Sequence, residues 1–190
     1  MATPRPAKRP RRVVAVTGGL GAGKSEALKA FERGGAAVCS SDEIVHRLIA
    51  EDLEVRQALE EHLGTTDRTR IGEVVFGDRD ELAWLEGVLH PRVRREYLAW
   101  LERLDDVDVA VVEIPLLYET GGEELFDAVV VVTAPEETRR RRAGARVEER
   151  SGRFIPDDDK MRRADYTYVN DGSLADLEAF VARVLEELGA

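Results

Sequence analysis

Residues 13–25 read VVAVTGGLGAGKS, an apolar run that leads directly into a glycine-rich segment. Gly18 to Ser25 match the spacing G-x-x-x-x-G-K-S of a phosphate-binding P-loop. Glycines let consecutive backbone N–H groups turn towards a phosphate, and the following helix presents its positive N-terminal end there. The pattern therefore predicts a buried strand, a phosphate-binding loop and a helix. The predicted nucleotide contacts are Gly19, Gly21, Ala22, Gly23, Lys24, Ser25 and Glu26.

The residue types in the loop indicate which ligands it binds. In such loops the lysine reaches the β- and γ-phosphates, and the hydroxyl of the next residue holds Mg²⁺. Lys24 and Ser25 occupy these two places. ATP and Mg²⁺ are accordingly the predicted cofactors.

Composition excludes several classes of protein. The chain has 190 residues, of which 43% are hydrophobic, and a single cysteine, Cys39. No apolar stretch reaches the length of about 18 residues that a membrane span needs, so no membrane partner is expected. A lone cysteine forms no internal disulfide and suits a reducing compartment, which predicts a cytoplasmic protein.

The charge is unevenly distributed. The formal net charge is −10, yet residues 1–12 contain five basic residues, three prolines and no acidic residue. We expect residues 1–12 to form a disordered basic tail. The remaining body is strongly acidic, which argues against a broad nucleic-acid surface. A monomer that acts on a small molecule is the expected form.

Apolar runs alternate with helical material along the chain. This alternation predicts an α/β fold with a doubly wound, parallel, five-stranded sheet covered by helices on both faces. Residues 13–190 form one predicted domain, whose core comprises residues 13–50 and 107–190. Residues 51–106 lack a strand signal and predict a helical insertion for a second substrate, and residues 142–163 predict a short lid. The predicted strands are 13–17, 36–39, 107–114, 128–133 and 166–169.

Acidic residues follow two of these strands, at the sheet edge where ligands bind. Asp42 could accept a proton from an attacking hydroxyl or help to hold a metal ion, and it could equally cap the following helix. Glu113 follows the most apolar strand, where an acid often lies near Mg²⁺, although that acid is usually Asp. Ser25 and Glu113 are the predicted metal ligands.

Three further features have both functional and structural interpretations. Arg142 and Arg146 lie one turn apart in an arginine-rich segment, where they could stabilise a transferring phosphoryl group or form a solvated basic face. His90 precedes Pro91, which suits the first turn of a new helix, and could cap that helix or contact a ligand. The segment 115–119, PLLYE, could be a ligand loop or packing.

Taken together, several segments resemble the dephospho-coenzyme A kinase family in order and spelling, over nearly all of the chain from Val13 to the C-terminal helix. The LHP segment followed by PLLYETG and NDGS makes this resemblance specific, whereas the P-loop alone indicates only a nucleotide. The resembling segments are TGGLGAGKS (17–25), SSDEIVHRL (40–48), VFGDRDELAWLEGVLHPRVR (75–94), EIPLLYETG (113–121) and ADYTYVNDGS (164–173), together with the spacing of Arg142 and Arg146.

The resemblance implies a P-loop NTPase-type fold and transfer of the γ-phosphoryl group of ATP to the ribose 3′-hydroxyl of dephospho-coenzyme A. Lys24, Asp42 and Arg142 would then be catalytic, with Asp42 orienting or deprotonating the hydroxyl. Arg146 and Asn170 would contact ATP, Asn170 in its adenine pocket. The implied contacts to the acceptor are Asp42, His90, Leu116, Tyr118 and Glu119.

Some positions depart from the usual pattern of this family. Ser40 stands where the first acid of Asp-x-Asp is usual, and Glu26 replaces a hydroxyl residue. The segment from Val147 to Lys160 is shorter than the usual lid and has Phe154 where Gln is common. Two alternatives follow: another small-molecule P-loop kinase with a nucleotide or sugar acceptor, or a nucleotide-binding protein that has lost transfer activity.

Overall fold

A computed structural model describes residues 10–144 and 155–189. Its chain divides into two compact units, Met1–Ser40 with Leu101–Ala190, and Ser41–Trp100. The first contains a five-stranded parallel sheet in the order β2-β3-β1-β4-β5. The strands are β1 (Arg12–Thr17), β2 (Ala37–Ser40), β3 (Val109–Glu113), β4 (Ala128–Thr133) and β5 (Tyr166–Val169).

Helices of the first unit cover both faces of the sheet, as the continuous apolar strands predict. Val14 and Val16 face a core that includes Phe31 of the helix after the P-loop, whereas Ala15 faces a second cluster that includes Leu117. The α/β, doubly wound prediction is therefore confirmed. The helices of this unit are α1 (Lys24–Arg33), α6 (Glu136–Ala143), α7 (Asp157–Arg163) and α8 (Leu174–Leu188), with a 3-10 turn at Glu123–Leu125.

The second unit is helical. It contains α2 (Ser41–Glu51), α3 (Leu53–Leu63), α4 (Arg68–Gly77) and most of α5 (Arg79–Arg103). The predicted boundaries of 51 and 106 thus differ from the observed ones, because α2 belongs with the insertion rather than with the core. Ile44 and Leu48 of α2 are buried, and α2 packs on α3. An apolar stripe predicts burial but does not identify the neighbour that covers it.

The prediction that Pro91 opens a new helix is wrong. Pro91 lies inside the continuous helix α5. Proline in a helix interior removes one backbone hydrogen bond. Here the guanidinium of Arg92 donates to the carbonyl of Val88 at 3.0 Å, one turn earlier. This side chain supplies a donor next to the interrupted ladder, a contact that the sequence pattern does not reveal.

The predicted boundary of the basic tail at residue 12 needs a correction. Arg12 begins β1, and the backbone N–H of Arg11 donates to the carbonyl of Val107 at 3.3 Å, so the last residues of the predicted tail pair with the strand region. Residues 1–9 and 145–154 lie outside the described part of the chain. Within that part, no helix is both long and apolar enough to cross a membrane.

Candidate active site

The P-loop runs from β1 into α1 at the carboxyl edge of the sheet. Gly23 is the N-cap residue of α1 and has a left-handed backbone, with φ of 98°. A methyl group at Gly23 would lie 2.1 Å from Nδ2 of Asn170, so only glycine fits this contact and this conformation. No side chain caps α1. Its first-turn N–H groups are therefore suited to bind an anion.

Lys24 is folded across this loop. Its ammonium is buried and donates to the carbonyl of Gly19 at 3.2 Å. A lysine at the first helical residue that reaches back over its own loop holds a positive charge beside the N-terminus of α1. A P-loop lysine needs a place near this loop to reach bound phosphates.

Two residues that are distant in sequence hold the same loop. Arg142 of α6 donates through Nη1 to the carbonyls of Gly21 at 3.3 Å and Ala22 at 3.4 Å. Asn170, directly after β5, donates from Nδ2 to the carbonyl of Ala22 at 2.9 Å, and its backbone N–H bonds to Thr133 at 2.7 Å. The structure thus brings Lys24, Arg142 and Asn170 together around one loop. Arg146 lies outside the described residues.

Glu26 points along α1 rather than over the loop. Its carboxylate pairs with Arg33 at 3.3 Å and with Lys29 at 3.8 Å. The negative charge that Glu26 introduces after Ser25 is therefore balanced by cations of the same helix. Ser25 itself is exposed at the helix start, where its hydroxyl is open to a ligand.

Glu113 ends β3 beside the start of the P-loop. It is in register with Val16 of β1 and only 2% exposed. Ser40, at the end of β2, donates its hydroxyl to Oε2 of Glu113 at 3.0 Å. Ser40 stands where the family pattern usually has the first acid of Asp-x-Asp. In this chain that position instead donates a hydrogen bond to Glu113.

The oxygens of Ser25 and Glu113 suit magnesium chemically. Mg²⁺ prefers hard oxygen ligands and keeps several waters and substrate phosphates, so it needs few protein ligands. Among the described residues, no group of three or more His, Cys, Asp or Glu side chains could form an all-protein metal site. The donor types of Ser25 and Glu113 are therefore compatible with a magnesium ion.

The loop after β3 is held by protein contacts. Oε1 of Glu119 lies 2.7 Å from the fully buried ammonium of Lys160, an ion pair, and accepts a hydrogen bond from the backbone N–H of Ile155 at 3.0 Å. Tyr118 is buried, and the guanidinium of Arg163 lies 4.2 Å from its ring centroid. Burial raises the pKa of Tyr118, and the charge of Arg163 partly opposes that rise. Leu116 is half-buried in this loop.

Asp42 and His90 belong to the helical unit. Asp42 is exposed in the first turn of α2, which begins at Ser41 directly after β2. A carboxylate in a first turn is also favoured by the positive end of the helix. His90 is half-buried in the middle of α5 rather than at a helix start, which removes its predicted capping role.

Sequence reasoning missed several residues of the site. Lys160 gave no signal, because one lysine in a charged segment resembles a solvated residue. Arg139 was not distinguished from its arginine neighbours, yet it packs against the P-loop. Thr133 could have been found, since it ends β4 at the same edge as the P-loop. Asp157 lies within the predicted lid, residues 142–163, and its contacts required the tertiary structure.

Known proteins resemble this chain in sequence and in fold. The family model for dephospho-CoA kinase matches residues 12–176. A dephospho-CoA kinase of Mesorhizobium japonicum is 40% identical to this chain, and the match covers 93% of this chain and 96% of that protein. A Thermus thermophilus structure, TT1252, has a TM-score of 0.80 and 33% identity, and it covers 96% of this chain and 100% of its own.

A second solved structure carries the family name. The dephospho-CoA kinase from Campylobacter jejuni has a TM-score of 0.64 and 26% identity, covering 93% of this chain and 97% of its own. The family model spans both the P-loop and the loop after β3, and the curated relative aligns over almost the whole chain. With its phosphate-binding loop, its parallel sheet and its helical insertion, the chain belongs to the dephospho-CoA kinase family.

Proposed function

We propose that this protein transfers the γ-phosphoryl group of ATP to the ribose 3′-hydroxyl of dephospho-CoA, which would yield CoA and ADP. The observation that supports this most strongly is the joint placement of Lys24 and Arg142 on one P-loop, in a chain of this family. Phosphoryl transfer needs little covalent help from a protein, so positioned cations supply most of the catalysis. A small-molecule acceptor and a cytoplasmic location are part of the same proposal.

The nucleotide phosphates would lie over the loop that starts α1. The first-turn N–H groups and Lys24 would bind them, and Arg142, together with Arg146, would stabilise the charge of the transferring group. Asn170 would support this arrangement, because its side-chain amide donates to the carbonyl of Ala22 and so holds the loop in place. Its proposed contact with adenine would use the remaining face of the side chain.

Ser25 and Glu113 would hold magnesium. When it is bound, Mg²⁺ neutralises phosphate charge and orients the phosphates. The hydroxyl of Ser25 would bind it directly. Glu113, fixed by Ser40, would hold its carboxylate at the sheet edge beside the loop.

The acceptor needs a group that orients its 3′-hydroxyl and residues that bind the rest of the molecule. Asp42 would orient the 3′-hydroxyl and take its proton, a role for which an exposed carboxylate after β2 is suited. His90, Leu116, Tyr118 and Glu119 would contribute to the acceptor site. For Tyr118 and Glu119 this contribution would be the shape of their loop, because both side chains already contact the protein.

The direct test is ADP release by purified protein with ATP and Mg²⁺, with and without dephospho-CoA, followed by mass spectrometry of the acceptor. We expect acceptor-dependent ADP release and a mass gain of one phosphate. Preferential phosphorylation of a nucleoside monophosphate would contradict the proposed acceptor. Nucleotide binding without any transfer would indicate the silent alternative.

The residue roles need variants. We expect Lys24→Ala and Asp42→Asn each to lower kcat by about 100-fold or more, because each removes a contact to the reacting groups. Glu43→Gln is a matched control for Asp42, since it removes the neighbouring exposed carboxylate in the same helical turn. Normal kcat in Asp42→Asn would reduce Asp42 to a favourable charge at the helix end.

A further inference from the structure

Three side chains outside the proposed catalytic set form a polar cluster beside the P-loop. The Oγ1 of Thr133, at the end of β4, donates to Oδ2 of Asp157 at 2.6 Å. Nη1 of Arg139, on α6, lies 3.2 Å from the same carboxylate oxygen. The side chains of Arg139 and Asp157 are only 23% and 17% exposed, so water screens this ion pair much less than one at the surface.

The cluster packs closely against the P-loop at Gly19. A methyl group at Gly19 would lie 2.8 Å from Nη1 of Arg139 and 3.2 Å from Oδ1 of Asp157. The backbone of Arg139 also reaches the loop, since a methyl group at Gly21 would lie 2.8 Å from its carbonyl oxygen. Gly19 in turn supplies the carbonyl that holds Lys24. The contact chain therefore runs from Asp157 through Arg139 and Gly19 to the phosphate-binding lysine.

The charges of Arg139 and Asp157 also matter for a ligand of the neighbouring loop. Asp157 places a carboxylate next to a loop that is built to bind a polyphosphate, and an unpaired negative charge there would repel the nucleotide. Arg139 neutralises that carboxylate. Nε of Arg139 is also buried and has no hydrogen-bond partner among the described residues. Arg141, by contrast, is exposed on the same helix.

We propose that Arg139 and Asp157 are positioning residues for nucleotide binding: Arg139 fixes the Gly19 segment of the P-loop and cancels the charge of Asp157 beside the phosphates. The proposal rests on the proposed function only in that this loop binds a nucleotide. It adds a requirement for Arg139, alongside the direct phosphate contacts assigned to Lys24, Arg142 and Arg146. The reaction itself needs no chemistry from the pair.

ADP binding, measured by isothermal titration calorimetry with Mg²⁺, tests the charge effect without an acceptor. We expect Arg139→Gln to weaken ADP binding by about tenfold, the equivalent of about 1.4 kcal/mol. Adding Asp157→Asn should restore most of this loss, because Asn removes the negative charge that has lost its partner and can still accept from Thr133. Arg141→Gln is the matched control and should bind ADP normally.

The contact with Gly19 is tested by a second pair of variants. Gly19→Ala should weaken ADP binding in the natural background, where the methyl group meets the guanidinium. In the Arg139→Ala background the same change should cost at least threefold less, since the colliding group is gone. Strictly additive losses in both variant pairs would overturn the proposal, as would normal ADP affinity in Arg139→Gln.

Turnover separates positioning from catalysis. In Arg139→Gln we expect KM for ATP to rise while kcat at saturating ATP stays within about threefold of the natural enzyme. A loss in kcat with unchanged KM would contradict the positioning role. Because the calorimetric test uses ADP alone, a failed acceptor assay would count against the proposed function and leave this inference standing.

Discussion

Ser40 illustrates how one residue changes the chemistry of its neighbour. Its hydroxyl donates to the buried carboxylate of Glu113 at 3.0 Å. This hydrogen bond satisfies one oxygen of a carboxylate that the fold has withdrawn from water. The carboxyl group of Glu113 is thereby held in place at the end of β3 by the residue that stands where the family pattern usually has another acid.

This contact predicts the behaviour of Ser40→Asp. Because the family usually has an acid at position 40, the sequence alone predicts unchanged or higher activity for this variant. The structure changes that expectation, because two carboxylates at hydrogen-bond distance share a proton unless a cation separates them. We expect lower activity at neutral pH, recovered at higher pH and at higher Mg²⁺, measured as kcat/KM across both variables.

Ser40→Ala is the control for the loss of the hydroxyl alone. It should lower activity modestly and leave the magnesium requirement nearly unchanged, since no charge is added. If Ser40→Asp shows the same pH profile as the natural enzyme at every Mg²⁺ concentration, the two carboxylates do not share a proton. That result would contradict the prediction for Ser40→Asp.

At the scale of elements, the buried ion pair of Lys160 and Glu119 joins α7 to the loop after β3. Lys160 is fully buried and Glu119 is 13% exposed. The same carboxylate accepts from Ile155, just before α7, and Asp157 at the start of α7 bonds to Thr133 of β4. Two polar anchors thus fix the position of a helix of seven residues.

Removing one member of this pair should destabilise the fold. We expect Lys160→Met to lower the free energy of unfolding by about 3–5 kcal/mol, because it leaves a buried carboxylate without its cation. Adding Glu119→Gln should recover part of the loss, since the amide oxygen can still accept from Ile155. Urea unfolding followed by circular dichroism measures both variants.

The control lies on the same helix. Arg162 pairs with Asp159, and its side chain is 70% exposed. Arg162→Met should change the free energy of unfolding by no more than about 1 kcal/mol, as for other surface pairs. Equal losses for Lys160→Met and Arg162→Met would show that burial does not strengthen the pair.

For the whole molecule, the two units predict separate responses to the two substrates. ADP with Mg²⁺ should slow amide hydrogen exchange in residues 18–26 and in α6, where the loop and Arg142 are in contact. Dephospho-CoA should slow exchange in Ser41–Trp100, the unit that carries Asp42 and His90. Exchange measured by mass spectrometry distinguishes these regions.

Each ligand controls for the other in this experiment. A nucleoside monophosphate at the same concentration as dephospho-CoA should leave the helical unit unprotected. Protection confined to the first unit with every ligand would contradict the assignment of the acceptor to Asp42 and His90.

The sequence by itself determined the architecture of the first unit. Strands β4 and β5 have the predicted bounds, 128–133 and 166–169, because buried parallel strands are continuous apolar runs between helices. The P-loop was equally predictable, since its spacing alone specifies glycines, a lysine and a hydroxyl in one short segment. Local patterns of this kind need no knowledge of distant residues.

Only the tertiary structure decided which distant side chains surround that loop. Arg139, Asp157 and Lys160 lie in charged segments whose sequence is typical of a solvated surface. The fold nevertheless buries Lys160, half-buries the other two, and pairs each with a partner more than fifteen positions away. Similarly, Pro91 continues a helix that its sequence would end. The reason is physical: burial and pairing depend on which segments the fold brings together, and this information is not present in the spacing along one segment.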